Sequence, residues 1–179
     1  MDFAIPADVT ATLEDLDRFI ESEIAPLEAE HPQFFDHRRE HARTDWDRDG
    51  IPRPEWEDLL GEMRRRADAA GFLRYALPSS LGGSDGTNLA MAIIREHLAS
   101  KGNGLHNDLQ NESSVVGNFP IVHMFLAAGT EAQQAAFVEG LITGEVRMGF
   151  GLTEPDHGSD ATWMETTAER VDGGWAISG

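Results

Sequence analysis

The run Met148-Gly149-Phe150-Gly151-Leu152-Thr153-Glu154-Pro155-Asp156-His157-Gly158-Ser159-Asp160 decides how the rest of the chain is read. Its first half alternates, with Val146, Met148, Phe150 and Leu152 apolar and Arg147, Gly149, Gly151 and Thr153 between them. Period two predicts a strand over 146–153. The second half gathers Thr, Pro, Gly, Ser and Asp, which is loop composition. A strand ending in such a loop offers backbone donors and a hydroxyl to a planar heteroaromatic ligand, and Gly158 lets the main chain approach a polar group closely.

Downstream, 163–171 reads as a second strand, and Asp172-Gly173-Gly174 turns the chain back into Trp175-Ala176-Ile177-Ser178. Upstream the period changes to that of helices. Val9, Leu13, Leu16, Ile20, Ile24 and Leu27 predict a helix over 8–29, capped by Asp8 or Thr10 and closing near Pro26. Residues 30–54 lose periodicity and read as an exposed connecting loop. Pro54 then opens a helix carrying Trp56, Leu59, Leu60, Met63 and Ala67, closed by Gly71. A third helix, capped by Thr87 or Asn88, turns Leu89, Ala92, Ile93 and Leu98 inward and stops near Gly102. Residues 104–117 are polar, Asn-rich and ambiguous. Pro120 to Ala128 is an apolar helix, and Thr130-Glu131-Ala132-Gln133 has the spacing of a capping box opening another, which runs to about Leu141. The prediction is an α+β chain: an all-helical domain over 1–145, then the first strands of a β-sheet or β-barrel domain over 146–179. Some 35 residues with about three strands fall short of a stable domain, so the second domain is expected to be cut short.

Composition limits the function. The 179 residues hold 14 Lys+Arg against 32 Asp+Glu, a formal charge of −18. Lys101 is the single lysine and Arg64-Arg65-Arg66 the one arginine cluster, so no basic stripe exists to neutralise nucleic acid phosphates or an anionic membrane. The absence of cysteine excludes disulfides, thiolate zinc sites, iron–sulfur clusters and Cys nucleophiles. No run approaches the 18 apolar residues of a membrane span. Residues 1–30, acidic throughout except for Arg18, resemble neither a secretory signal nor a transit peptide, and a cytoplasmic protein is expected.

Three motifs fail on inspection. Asp45-Trp46-Asp47-Arg48-Asp49-Gly50 opens like a calcium loop, but the closing bidentate Glu should fall at Trp56, with Glu55 and Glu57 out of register. His37-Arg38-Arg39-Glu40-His41 matches an inverted zinc-peptidase motif, with Glu112 as a formal third ligand; its inner arginines repel a dication. Asp156, His157, Ser159 and Asp160 lie too close in sequence to converge as a hydrolytic triad. Trp56, Met63 and Met91 sit on helix stripes and read as core. His106 and His123 read as satisfied core or surface groups, and Glu96 as a solvated one. No metal site is expected.

The strand-and-loop run resembles the acyl-CoA dehydrogenase family, whose members carry a strand ending in T-E-P-x-x-G-S-D. Here those residues are Thr153-Glu154-Pro155 and Gly158-Ser159-Asp160, followed by Thr167-Ala168 and by Asp172-Gly173 leading into Ile177-Ser178-Gly179, with Ser178 where Asn is usual. Asp49-Gly50-Ile51-Pro52 with Trp56 and Leu59, Pro78 with Gly82-Gly83, and Gly129-Thr130-Glu131-Ala132-Gln133-Gln134 with Leu141 and Gly144-Glu145 are similar to further family motifs, in the family's order. The stretch 30–49 is longer and more polar than is common there.

The resemblance implies an FAD enzyme that dehydrogenates an acyl-CoA thioester. It implies a helical N-terminal domain, a middle β domain and a C-terminal bundle, with electron-transferring flavoprotein as acceptor and a homodimer or homotetramer as assembly. Carried over by position, Phe150, Leu152, Thr153, Gly158 and Ser159 contact the flavin, and Ser159 also meets the thioester substrate. Thr162, just past the motif, should be indifferent. The family's catalytic base is a Glu of the C-terminal bundle, so no residue of this chain is cast as catalytic and the chain alone should be inactive. Flavin oxidases, nitroalkane oxidases and monooxygenases share this half of the fold, and a non-catalytic helical module that binds partner subunits is a rival of another class.

Overall fold

The computed structural model describes residues 4–36, 38, 41–108 and 113–179. They form two compact units, Met1–Arg147 and Met148–Gly179. Among the described residues no helix is long and apolar enough to cross a membrane.

The first unit opens with α1 (Ala7–Phe19), a π turn over Ile20–Ile24 and α2 (Ala25–Ala29). The predicted stripe is right: Val9, Leu16, Ile20, Ile24 and Leu27 are buried, joined by Phe19. The predicted cap is not. Pro6 precedes the helix without a side-chain cap, and Thr10 Oγ1 instead donates to the Pro6 carbonyl at 3.2 Å. The π turn has a local cause. Pro26 has no N–H to give the carbonyl four residues back, so the ladder slips to Ala25 N–H donating to the Ile20 carbonyl.

The stretch 30–54 is not the exposed connector its composition suggests. Phe34, in a 3₁₀ turn (Pro32–Phe34), is buried in the core. Arg43 lies 4.2 Å from the Trp56 ring centroid and 5.3 Å from that of Phe35. Its Nε donates to the Phe34 carbonyl at 2.6 Å and its Nη1 to Asp108 Oδ2 at 2.5 Å. Composition misleads here because one arginine, flat against two aromatic rings, can pin a polar segment to a core. The calcium-like run forms the turn between β1 (Thr44–Asp45) and β2 (Ile51–Pro52), with Gly50 N–H donating to the Asp45 carbonyl at 3.0 Å. Of the zinc-like motif, His37, Arg39, Glu40 and the formal partner Glu112 lie outside the described residues.

Helix α3 (Pro54–Ala69) buries Trp56, Leu59, Leu60, Met63 and Ala67 as its spacing predicts, and Gly71 follows at φ +83°. Each such side chain contributes about 1.5–3 kcal/mol on burial. In α4 (Asn88–Ser100), Thr87 Oγ1 accepts from Ala90 N–H at 3.1 Å. The inward stripe is Ala90, Ile94 and Leu98, while Leu89 stands 62% exposed. The expected set of Leu89, Ala92 and Ile93 is rotated off, because His97 Nε2 and Lys101 Nζ both reach Asp17 Oδ1 of α1, at 2.6 and 2.8 Å. The ambiguous 104–117 stretch is a buried hairpin of β3 (Asn107–Asp108) and β4 (Ser113–Ser114). Helices α5 (Pro120–Ala128) and α6 (Glu131–Thr143) follow, with the predicted capping box of Thr130 and Gln133 present.

In the second unit, β5 (Thr167–Val171) pairs antiparallel with β6 (Gly174–Ser178) around the predicted turn. Residues 146–153 belong to no strand. A strand requires a ladder partner, and among the described residues each edge of this small sheet is its last. The architecture is a helical N-terminal domain followed by a few short strands, with no closed barrel.

Candidate functional site

The 148–160 run lies in the second unit and is organised by Glu154. Its Oε2 accepts from Glu165 N–H at 2.8 Å and its Oε1 from Thr166 N–H at 2.8 Å and from the Thr166 hydroxyl. These donors, first Glu165 N–H and then the two groups of Thr166, hold the Glu154 carboxyl below the usual range. Glu154 and His157 exchange backbone bonds, N–H to carbonyl at 3.1 and 3.3 Å, closing a turn around Pro155. The His157 ring stacks on Trp163 at 5.7 Å, and its Nε2 lies 3.5 Å from Glu165 Oε2. None of this is announced by periodicity; only the acid between Thr153 and Pro155 hints at it.

The predicted site residues stand on the arc leading into and out of this turn. Phe150 is 65% exposed and Leu152 50%. Among the described residues neither the Thr153 nor the Ser159 hydroxyl has a hydrogen-bond partner, so both are available to a ligand. Nothing lies within 4 Å of a Cβ built on Gly158, so the chain's own atoms give no steric reason for glycine there. Thr162 is not indifferent: its N–H and Oγ1 donate to Asp160 Oδ1 at 3.0 and 2.5 Å, and Asp160 caps the 3₁₀ turn Ala161–Trp163. A sequence scan misses this because an Asx turn needs only one acid two residues back. Apolar Phe150 and Leu152 beside two free hydroxyls fit a flat, mostly apolar ring system with a polar edge.

Comparison with known proteins accords with the helical unit. The family model for the acyl-CoA dehydrogenase N-terminal domain matches residues 7–145. The chain is 30% identical over 167 residues to glutaryl-CoA dehydrogenase of Desulfococcus multivorans, across 92% of this chain and 40% of that protein. It is 35% identical over 112 residues to the CarC subunit of the caffeyl-CoA reductase–Etf complex of Acetobacterium woodii, across 63% of this chain and 27% of that protein. A solved structure from Mycobacterium abscessus, assigned as an acyl-CoA dehydrogenase, superposes with TM-score 0.62 at 28% identity, over 93% of this chain and 39% of that one. The chain thus spans well under half the length of these relatives. Since the matched region runs from α1 through the end of α6, the chain belongs to the acyl-CoA dehydrogenase family.

Proposed function

We propose that this chain forms the N-terminal part of an FAD-dependent acyl-CoA dehydrogenase. The observation that carries the reading is the pairing of a family-matched helical unit with a loop whose Phe150, Leu152, Thr153 and Ser159 are exposed and unpartnered. Bound there, FAD would supply the hydride acceptor for α,β-dehydrogenation of a thioester. Phe150 and Leu152 would cover the flat ring, and the Thr153 hydroxyl would donate to its polar edge. Gly158 would leave room for close approach, and Ser159 would orient the thioester. Glu154 would hold the loop in shape through Glu165 and Thr166. No acid of this chain is assigned as the base that takes the α-proton.

The relative that is a subunit of a reductase–Etf complex favours an electron-transferring flavoprotein as acceptor. A homodimer or homotetramer in the cytoplasm completes the proposal. A flavin oxidase or monooxygenase of the same fold is the alternative, and rapid reaction of the reduced flavin with oxygen would favour it.

Thr153→Val keeps the shape and removes one donor. In the complete flavoprotein it should cost on the order of 1–3 kcal/mol, more for reduced than for oxidised flavin, because the ring edge gains negative charge on reduction. The flavin potential should fall. Ser159→Ala should weaken thioester binding and leave the free flavin's spectrum unchanged, and Glu169→Gln on exposed β5 should change neither. An unaltered potential in Thr153→Val would refute the assignment.

A further inference from the structure

Among the described residues, the buried polar and charged ones are His106, Asn107, Asp108, Ser113 and Ser114. All five lie on the β3–β4 hairpin or next to it. A helical core gains nothing from such groups, which lose water and must find partners. Asp108 has Arg43, and Ser114 Oγ donates to the His106 carbonyl at 3.4 Å. The His106 ring, 8% exposed, has an Nε2 sealed from solvent without a hydrogen-bond partner. The reading of His106 as a satisfied group is therefore corrected. With no internal bond to fix its tautomer, the ring's other nitrogen can act as donor or as acceptor.

That ring closes a groove of about 870 Å³ in the helical unit. Ile20, Ile24, Ala25 and Phe35 make its walls apolar. The first two belong to the π turn, an irregularity that recurs at functional sites. Glu28 shares the polar end, its Oε2 accepting from Leu105 N–H at 2.7 Å. Glu28 and His106 meet around Gly104, where a Cβ would stand 2.7 Å from Glu28 Oε2 and 3.0 Å from His106 Nδ1. Any side chain at 104 would push the pair apart. Glu28 and Asp36 together disfavour an anion.

We propose that this groove binds a neutral aromatic alcohol, with the ring against Ile20, Ile24 and Phe35 and the hydroxyl at His106. A hydroxyl both donates and accepts, so it pairs with the imidazole in either tautomer and can donate to Glu28. A carboxylate would meet like charge, and a hydrocarbon would leave the polar end unpaired. The inference stands apart from the flavin-facing loop, and its failure would leave that reading untouched.

The test titrates 4-propylphenol, propylbenzene and 4-propylbenzoate into the protein, following the imidazole nitrogens by NMR and the melting temperature. The phenol should bind saturably, at least tenfold tighter than the other two, and shift the His106 ring signals. His106→Phe, which removes an orphaned polar atom, should melt no lower than the parent and lose the tenfold preference. Ala25→Trp, at an exposed wall position, should fill the groove and abolish binding with the fold intact. Equal affinity for phenol and hydrocarbon would overturn the proposal, as would unchanged phenol binding in either variant.

Discussion

Glu154 accepts two backbone amides and a hydroxyl, which explains why an acid stands between Thr153 and Pro155. Because these bonds favour the carboxylate, its contribution to loop order is present above the ordinary value of about 4.3 and is lost as pH falls through its own lower value. The Glu165 and Thr166 amide signals should titrate together below about pH 4.3, and Glu154→Gln should remove that step. Titration of these amides at or above 4.3 would mean that the carboxylate is not held there. Phe150, Leu152, Thr153, Gly158 and Ser159 were legible as a set because they sit in one short run. The partner of Glu154 was not legible, since Thr166 is twelve residues away and ordinary in kind.

Arg74 joins the end of α3 to α6. Its Nε and Nη2 donate to Asp68 at 2.7 and 3.0 Å, and its Nη1 and Nη2 to Glu139 at 3.0 and 2.6 Å. The Asp68 half should matter more, because the Glu139 side chain is 64% exposed and well screened. Arg74→Met should therefore cost about 1–2 kcal/mol, a fall of roughly 2–8 °C in Tm by thermal melting for a chain of this size. The turn between α3 and α4 makes a sharper case. A Cβ on Gly83 would lie 2.0 Å from the Leu77 carbonyl oxygen, a backbone atom that cannot swing aside. Gly83→Ala should cost about 3 kcal/mol or more, or prevent folding, by chemical denaturation. Elements were readable where one stripe dominates, as in α3, and misread in α4, whose Ala, Ile and Leu residues permit two stripes. The α4 facing was settled by Asp17, eighty residues from His97.

Across the whole molecule the excess of acid is held by a few cations with several bonds each. Burial pushes the Asp17 carboxyl up, but hydrogen bonds from Lys101 and His97 outweigh it and hold the group low. Hydrogen bonds from Arg66 and then Arg65 lower Glu62, and one from Arg74 lowers Glu139. Depressed carboxyls stabilise above their unfolded values and lose that contribution as pH falls through their folded ones. Stability should thus decline from about pH 4 downward, and the triple variant Asp17→Asn, Glu62→Gln, Glu139→Gln should show a shallower acid limb in pH-dependent denaturation. An acid limb of unchanged slope would assign the loss to other carboxyls.

The sequence by itself determined the order of helices, the core stripe of α3, the capping box at Thr130, the β5–β6 turn and the family-like T-E-P-x-x-G-S-D run. These depend on spacing within a few residues, where periodicity and turn chemistry act. Tertiary structure decided the rest. Arg43 folds the polar 30–54 stretch onto Trp56, Asp17 selects the inward face of α4, and the β3–β4 hairpin buries polar groups that composition reads as loop. Residues 146–153 remain without a ladder because a strand exists only by pairing, and pairing is a property of two segments, not of one.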